Sequence, residues 1–110
     1  MSDVILDGIP VGSSNYPYTI AELGHNHMGS LREAKKLISV AATAGVQAVK
    51  LQRRDNRELY TERFYNSPYN AENSYGPTYG THRDYLEFDE GGYFELQDYA
   101  DQLGVTFIAT

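Results

Sequence analysis

The 110-residue sequence contains no cysteine. This absence excludes disulfide bonds and thiolate chemistry, and it is compatible with a reducing compartment. Positive charge is also scarce, because 9 Lys and Arg residues face 15 Asp and Glu residues, which gives a net charge of −6. Nucleic acids and anionic membranes are bound by positively charged faces, so this balance argues against either as a partner. A small anionic substrate stays compatible with a local cluster of cations.

Long apolar runs are missing as well. No run in the sequence approaches the roughly 20 residues of a transmembrane helix. The N-terminus lacks a basic segment followed by an apolar one, which is the pattern of a secretory signal. The sequence therefore predicts a soluble, cytoplasmic protein. Its length provides for one small domain with a usable core.

The most informative stretch is Tyr18 to Ser30, YTIAELGHNHMGS. Tyr18 to Ala21 suit a buried strand, and Glu22 follows where that strand leaves the core. A polar turn comes next, and Ser30 with Glu33 matches the S-x-x-E capping box at a helix start. Polar groups are therefore concentrated at the carboxyl end of a strand, where parallel α/β sheets and barrels place their ligand sites.

The rest of the chain alternates between strand and helix patterns. Val4 to Val11 surround an Asp-Gly pair that favours the turn of a tight hairpin. Apolar residues from Leu31 to Ala44 follow one helical face, and a glycine after them supplies a left-handed stop. Val46 to Gln52 reads as a strand, with Lys50 and Gln52 on one face.

Regular periodicity is lost between Arg53 and Phe88. A connection of this length is usually functional or disordered, and its many aromatic residues favour packing over disorder. Tyr79 to Glu87 is predicted to contain one short helix. The final unit starts at Asp89 as N-cap, with Phe88 and Tyr93 as a hydrophobic staple and a buried face formed by Tyr93, Leu96, Ala100 and Leu103.

Val105 to Ala109 then form a third strand. Strands that alternate with helices of this length predict right-handed βαβ crossovers and a parallel sheet. Three parallel strands leave two unpaired edges, so we expect this sheet to be incomplete.

Four blocks, AELGHNHMGS, AVKLQ, YGPTYGTHRDYLEF and GVTFIAT, follow one another between residues 18 and 110. In order and spacing they resemble the start of the sialic acid synthase family. The resemblance implies an α/β fold, in which an N-terminal β-hairpin with its connector (residues 1–17) precedes the first three strands of a (β/α)8 TIM barrel (residues 18–110). It also implies that most of the family's phosphate-binding serines and its C-terminal domain lie beyond residue 110.

The resemblance implies an activity for the longer protein. The family condenses phosphoenolpyruvate with an N-acylated hexosamine such as N-acetylmannosamine, forms a C–C bond and releases phosphate. It uses a divalent metal, usually manganese, whose histidine ligands are expected beyond residue 110. We expect a homodimer for the full-length protein, and no activity for the 110-residue piece alone.

Residues of this chain at the family's motif positions receive provisional roles. Lys50 would bind phosphoenolpyruvate, since a cation suits its carboxylate and phosphate, although a solvated lysine is the plain alternative. Thr110 would contact the same substrate through its hydroxyl, and Gln52 would be a neutral hydrogen-bonding neighbour. Glu22 would face the sugar and move a proton; the alternative is a buried carboxylate paired with Lys50.

The remaining candidates have equally ordinary alternatives. Asn26 and His27 match the family's loop motif for substrate contact, or they form the turn by hydrogen bonding to nearby backbone. His25 with His27 resembles a zinc pair without a third ligand. Tyr79 belongs to a loop that would partly cover the sugar, or it serves packing alone. The cluster of Arg53, Arg54 and Arg57 would steer a dianion, or it is a solvated loop.

Two rival functions share these features. A barrel enzyme could use Lys50 as a Schiff-base nucleophile, although no second lysine or apolar device is evident that would lower its pKa. Alternatively, the 110 residues are a non-catalytic truncated fragment or a binding module.

Overall fold

The computed structural model describes residues 4–110, which form a β-hairpin and a three-stranded parallel sheet with helices. The elements in chain order are β1 (Val4–Leu6), β2 (Ile9–Val11), β3 (Ile20–Gly24), α1 (Leu31–Ala44), β4 (Ala48–Leu51), α2 (Asn56–Leu59), α3 (Glu62–Tyr65), α4 (Tyr79–Tyr85), α5 (Glu90–Gln102) and β5 (Thr106–Ala109). The predicted α/β class with an N-terminal hairpin is confirmed.

The hairpin turns at the predicted Asp-Gly pair. Asp7 and Gly8 have φ angles of 48° and 80°, as a type I′ turn requires at both central positions. The Asp7 carboxylate also accepts a hydrogen bond from the Thr106 hydroxyl at the start of β5. This contact joins the hairpin to the three-stranded sheet.

The sheet has the order β3-β4-β5, with all strands parallel. Helices α1 and α5 pack on one face, and the core there includes Ile38, Val49, Leu51 and Leu96, none of them exposed. Because successive side chains of a strand point to opposite faces, Val49 and Leu51 face these helices, whereas Lys50 faces the other way. Within residues 4–110, no helix covers that second face.

Two strand predictions were placed too early. The first strand was predicted at Tyr18 to Ala21, but it runs from Ile20 to Gly24, with a register shift between Glu22 and Gly24. The Thr19 carbonyl instead accepts hydrogen bonds from the N–H groups of Gln47 and Ala48, at 3.1 and 3.2 Å. Pairing with β4 can therefore begin only after Thr19, and β4 itself begins at Ala48 and not at Val46.

Helix α1 has the predicted bounds, and Gly45 ends it with a φ of 92°. Its predicted capping box is only half formed. The Ser30 hydroxyl accepts from the Glu33 N–H at 3.2 Å, but the Ser30 N–H donates to the His27 carbonyl. Since the polar turn before the helix already provides that acceptor, the Glu33 side chain is not needed there.

The segment from 53 to 88 contains three short helices where one was predicted. The predicted helix is confirmed as α4, and α2 and α3 precede it. Each begins after a residue whose side chain accepts a first-turn N–H, namely Asp55, Thr61 and Thr78. These caps were readable in the sequence, but helices of four residues leave no measurable periodicity.

The last helix begins as predicted. Asp89 accepts from the Gly92 N–H at 2.7 Å, and the Phe88 and Tyr93 rings lie 5.8 Å apart as a staple. Leu103 was predicted on the buried face, but it is the C-cap and 38% exposed. Among the helices of residues 4–110, none combines the length and apolarity that a membrane crossing requires.

Tight packing at Gly80 provides a test of this fold. A methyl group at Gly80 would overlap the Tyr65 ring, so α4 can approach α3 only with glycine there. We expect Gly80→Ala to lower the free energy of unfolding by about 1–3 kcal/mol, the usual cost of overpacking. Gly91→Ala is the matched control in α5, where the new methyl meets nothing closer than 3.6 Å. Urea unfolding measures both; equal stability of the two variants would contradict the described packing.

Candidate functional site

A cleft of about 720 Å³ opens beside the carboxyl ends of β3 and β4. Its walls come from these strand ends, the turn after β3, and the segment from 53 to 88. The lining residues are Glu22, Gly24, His25, Asn26, Met28, Gln52, Arg54, Tyr69, Asn73, Tyr75, His82, Arg83 and Leu86. This is the place where a parallel α/β sheet puts its ligand site.

Glu22 and Lys50 form an ion pair on the uncovered face of the sheet. They are direct partners in the parallel register of β3 and β4, and Lys50 Nζ lies 3.5 Å from Glu22 Oε2. The predicted pairing is confirmed. The predicted burial is wrong, because the Glu22 side chain is 50% exposed and the Lys50 side chain 35%. The other oxygen, Oε1, accepts from the Gly24 N–H at 3.0 Å and so orients the carboxylate.

Gln52 and Thr110 follow β4 and β5 at the same edge. The Gln52 Oε1 accepts from Arg54 Nη2 at 2.8 Å. The Thr110 N–H donates to the Leu51 carbonyl at 3.1 Å, and the Thr110 carbonyl accepts from the Arg53 N–H at 2.6 Å. These bonds tie the Thr110 backbone to the end of β4.

The turn after β3 is joined to α4 through His25. Arg83 Nη2 lies 3.2 Å from His25 Nδ1, and Glu87 Oε1 lies 2.6 Å from His25 Nε2. Arginine can only donate, so Nδ1 is the acceptor and the ring proton lies on Nε2, where it donates to Glu87. Both ring nitrogens are therefore occupied.

Glu87 is the acceptor at the centre of this arrangement. Its Oε2 accepts from the Arg54 N–H at 3.2 Å and from the Tyr93 hydroxyl at 3.3 Å. Burial raises the pKa of the Glu87 carboxyl, but the hydrogen bonds from His25 and the Arg54 backbone outweigh burial and lower the pKa below its ordinary value. Burial and the nearby Glu87 charge raise the pKa of Tyr93.

His27 is fully buried and does not line the cleft. Its ring packs on Phe88 with 4.3 Å between centroids, and its Nδ1 accepts from the Gly29 N–H at 3.0 Å. Burial lowers the pKa of His27 to about 4, with His25 adding to the effect and Glu87 opposing it. His27 thus stabilises the turn by hydrogen bonding to its backbone. Asn26, in contrast, is exposed and lines the cleft.

Aromatic rings build the outer wall. Tyr75 stacks on Tyr85 at 4.4 Å and its N–H donates to His82 Nδ1 at 3.1 Å. Tyr79 lies behind this wall, in ring contact with Tyr60, Phe64 and Tyr69. Tyr79 therefore packs against other rings and does not line the cleft.

The arginines of the predicted basic cluster separate in space. Arg53 lies over the Tyr93 ring at 5.4 Å, and Arg57 lies over the Tyr65 ring at 3.9 Å. Only Arg54 lines the cleft. Aromatic rings on α5 and α3 thus hold two of the three guanidinium groups, and the steering role of the cluster stays a prediction.

The described residues do not fit a metal. Residues 4–110 contain no group of three His, Cys, Asp or Glu side chains that could hold an ion. The His25 and His27 rings lie edge to face at 5.7 Å, and the His25 nitrogens are already engaged. The zinc interpretation of this pair has no support, and manganese ligands beyond residue 110 stay a prediction.

Several residues of the site had not been singled out from the sequence. Arg83, Glu87, Tyr69 and Asn73 lie in the long segment, where no periodicity indicated which side chains face inward. The block YGPTYGTHRDYLEF includes Arg83 and Glu87 but gave neither a role, because the positions of these side chains depend on how three short helices pack together.

The buried His27 gives a testable pH dependence. Its pKa is lowered from 6.5 to about 4 on folding, so the unfolded chain binds the extra proton first and stability falls as the pH drops below 6.5. Between pH 7.5 and 5.5 we expect a loss of about 1.3 kcal/mol that His27→Phe removes. Urea unfolding of both proteins at the two pH values measures this, and identical pH slopes would contradict the buried neutral ring.

Comparisons with known proteins agree on one family. The NeuB family model matches residues 37–110. The chain is 37% identical over 100 residues to human N-acetylneuraminate-9-phosphate synthase, covering 91% of this chain and 28% of that protein. It is 34% identical over 109 residues to N,N'-diacetyllegionaminic acid synthase of Legionella pneumophila, covering 96% and 30% of the two chains.

Solved structures show the same fold. A sialic acid synthetase from Leptospira borgpetersenii aligns with a TM-score of 0.75 at 24% identity, covering 98% of this chain and 33% of that one. The spore coat polysaccharide biosynthesis protein spsE of Bacillus subtilis aligns with a TM-score of 0.67 at 27% identity, covering 98% and 27%. The chain therefore spans about a third or less of these relatives. It belongs to the NeuB family, the family of the sialic acid synthases.

Proposed function

We propose that this chain supplies the N-terminal part of the catalytic barrel of a nonulosonate synthase. The reaction joins phosphoenolpyruvate to an N-acylated hexosamine such as N-acetylmannosamine and releases phosphate. The observation that carries this proposal is the Glu22–Lys50 pair, which stands in register on the uncovered face beside the cleft. Family membership and relatives named for N-acetylneuraminate-9-phosphate and legionaminic acid synthesis support it.

The uncovered face supports the partial barrel. In a TIM barrel, helices cover the outer face of the sheet and side chains of the strands fill the interior. Here α1 and α5 cover one face, and Lys50 with Ile108 points to the other. Five further strands after β5 would close such a barrel and enclose the Glu22–Lys50 pair.

The reaction balances without a redox partner. The C3 carbon of the enol forms a bond to the aldehyde carbon of the sugar, and the aldehyde oxygen takes a proton. Water adds at C2, and the resulting tetrahedral species loses phosphate as its C–O bond breaks. Lys50 suits this substrate, because its ammonium group donates charge-assisted hydrogen bonds to carboxylate and phosphate oxygens.

Glu22 is assigned to the sugar. Its carboxylate forms an ion pair with Lys50 and accepts a hydrogen bond from the Gly24 N–H, and it lines the cleft. From there it can accept hydrogen bonds from sugar hydroxyls and move the proton of the addition step. Asn26 and Gln52 line the same cleft and are proposed to bind substrate. For Thr110, His27 and Tyr79, substrate binding is proposed from the family motif alone.

The divalent metal of the proposed reaction would be bound by residues outside the range 4–110. A divalent ion, Mn²⁺ in the family, would supply Lewis-acid chemistry at the aldehyde. Residues 4–110 do not fit it, so we derive no step through it and place its ligands after residue 110. A homodimer and a cytoplasmic location are likewise proposed for the full-length protein.

The Schiff-base alternative is less compatible with this geometry. A Schiff-base lysine needs a free amine that can attack a carbonyl, whereas Lys50 Nζ is engaged in an ion pair with the Glu22 carboxylate at 3.5 Å. The contacts described above would be the same in a binding module without catalytic activity. Turnover by the longer protein separates that reading from the synthase.

The first test concerns turnover and Lys50. Phosphate release from phosphoenolpyruvate, N-acetylmannosamine and Mn²⁺ is measured for the 110-residue chain and for the product of the whole reading frame. We expect turnover only from the longer protein. Lys50→Ala should remove it and weaken phosphoenolpyruvate binding by roughly 10- to 100-fold, because charge-assisted contacts contribute about 1.5–3 kcal/mol.

Calorimetry gives the affinity, and Lys36→Ala on the exposed face of α1 is the matched control. A reading frame that ends at Thr110, or a longer protein inactive on N-acylated hexosamines, would overturn the proposal. Unchanged phosphoenolpyruvate affinity in Lys50→Ala would remove Lys50 from the site.

The second test concerns Glu22. We expect Glu22→Gln in the longer protein to leave phosphoenolpyruvate affinity within twofold and to lower kcat by about 100-fold or more, since the amide cannot transfer the proton. Glu95→Gln, which removes an exposed ion pair between α1 and α5, is the control. Normal turnover of the Glu22 variant would refute its catalytic role.

A further inference from the structure

His25 lies between a cation and an anion that belong to a distant part of the sequence. Its ring nitrogens are 3.2 Å from Arg83 Nη2 and 2.6 Å from Glu87 Oε1. Only 8% of the His25 side chain and 14% of the Glu87 side chain are exposed. Hydrogen bonds that are shielded from water are electrostatically stronger than the same bonds in water. One imidazole ring therefore joins the turn after β3 to helix α4 and the residues that follow it.

The hydrogen bonds at His25 can run in only one direction while the ring is neutral. An arginine side chain donates and never accepts, and an ionised carboxylate accepts and never donates. A neutral imidazole has one nitrogen of each kind. Arg83 therefore donates to Nδ1 of His25, and Nε2 of His25 donates to Glu87. A doubly protonated ring would present an N–H to Arg83, and this hydrogen bond would be lost.

Glu87 must be a carboxylate to set this direction. It accepts from His25 Nε2, from the Arg54 N–H at 3.2 Å and from the Tyr93 hydroxyl at 3.3 Å. Although burial raises the pKa of the Glu87 carboxyl, the hydrogen bonds from His25 and the Arg54 backbone hold it below its ordinary value. A carboxamide in its place would turn an NH2 group toward one of these donors. Glu87 thus selects the tautomer of His25.

The position of Arg83 depends on His25. Among residues 4–110, His25 Nδ1 is the one hydrogen-bond acceptor of the Arg83 guanidinium, and no carboxylate forms an ion pair with it. The Arg83 Nε is shielded from solvent and has no partner in the same range. An arginine side chain loses much rotamer freedom when it is fixed. The hydrogen bond to His25 therefore determines where the guanidinium lies in the cleft.

The His25 ring is itself held by its neighbours. The His27 ring stands edge-on to it, with 5.7 Å between the ring centroids and an interplanar angle of 77°. His27 is fully buried and packs on Phe88, the residue after Glu87. Burial lowers the pKa of His27 to about 4, so at neutral pH His27 places no charge beside His25. The charged groups that contact His25 are therefore Arg83 and Glu87.

We propose that His25 and Glu87 are positioning residues that hold the Arg83 guanidinium on the wall of the cleft through the Nε2-protonated tautomer of His25. The assignment rests on the proposed function, in which the acceptor sugar occupies this cleft. His25, Asn26 and Arg83 all line it, so the same hydrogen bonds hold the turn after β3 against α4. Loss of either positioning residue weakens acceptor binding and leaves binding of phosphoenolpyruvate, which is assigned to Lys50, unchanged.

Three substitutions in the full-length protein separate positioning from packing. The glutamine of His25→Gln carries an acceptor oxygen and a donor nitrogen on one carbon, so it can accept from Arg83 and donate to Glu87 as the imidazole does. We expect this variant to keep the KM for N-acetylmannosamine within twofold. His25→Phe keeps a ring but loses both hydrogen bonds, and Glu87→Gln loses the carboxylate. Each should raise that KM about tenfold and leave the KM for phosphoenolpyruvate within twofold.

The matched control is Glu62→Gln, which removes an exposed carboxylate on α3 and should change neither KM. Unchanged acceptor KM in both His25→Phe and Glu87→Gln would overturn the positioning role. An equal rise in His25→Gln and His25→Phe would also overturn it, because a donor and an acceptor at this position would then have no effect. If His25→Phe does not fold, Glu87→Gln and the tautomer of His25 still decide.

Nitrogen NMR of histidine-labelled full-length protein measures that tautomer without turnover. The signals that are missing from His25→Gln identify His25 in the wild-type spectrum. At neutral pH we expect a bare Nδ1 and a protonated Nε2, and Glu87→Gln should abolish this preference. A bare Nε2 or a doubly protonated ring in the wild-type protein would overturn the proposal. The expected tautomer in a protein that releases no phosphate from phosphoenolpyruvate would refute the proposed reaction and leave the positioning of Arg83 standing.

Discussion

The parallel register of β3 and β4 is the constraint on which this structure depends. Because Glu22 is paired with Lys50 in that register, their side chains leave the same face of the sheet and meet as an ion pair. The register shifts between Glu22 and Gly24, and the Gly24 N–H donates a hydrogen bond to the Glu22 carboxylate. A slip of β3 by one residue would turn Glu22 toward the apolar layer under α1 and α5 and away from Lys50.

The long segment after β4 completes the site through packing that allows little substitution. Gly80 lets α4 approach Tyr65, and Gly29 passes the Tyr85 carbonyl with a φ of 77°. These approaches bring Arg83 and Glu87 to the two sides of His25. The turn after β3 and helix α4 therefore support one another, and the cleft lies between them.

The sequence predicted much of this fold, because its main elements have strong local signals. The Asp-Gly turn, the apolar face of α1 and the Asp89 cap all correspond to observed features. The alternation of apolar and polar residues along β4 also predicted that the Lys50 side chain points away from the core. Side chains such as Arg83 could not be placed, because their neighbours come from contacts between short helices. For the same reason, adjacency of the arginines in sequence did not show that rings of other elements hold Arg53 and Arg57.

A crystal structure of the full-length protein with phosphoenolpyruvate tests the central claim most directly. The account predicts that the ligand lies on the uncovered face of the sheet, with Lys50 Nζ within about 3 Å of its carboxylate or phosphate oxygens. Glu22 should remain bound to the Gly24 N–H and face the empty sugar side of the cleft. Phosphoenolpyruvate bound elsewhere, with the Glu22–Lys50 ion pair unchanged and out of reach of the ligand, would contradict the account.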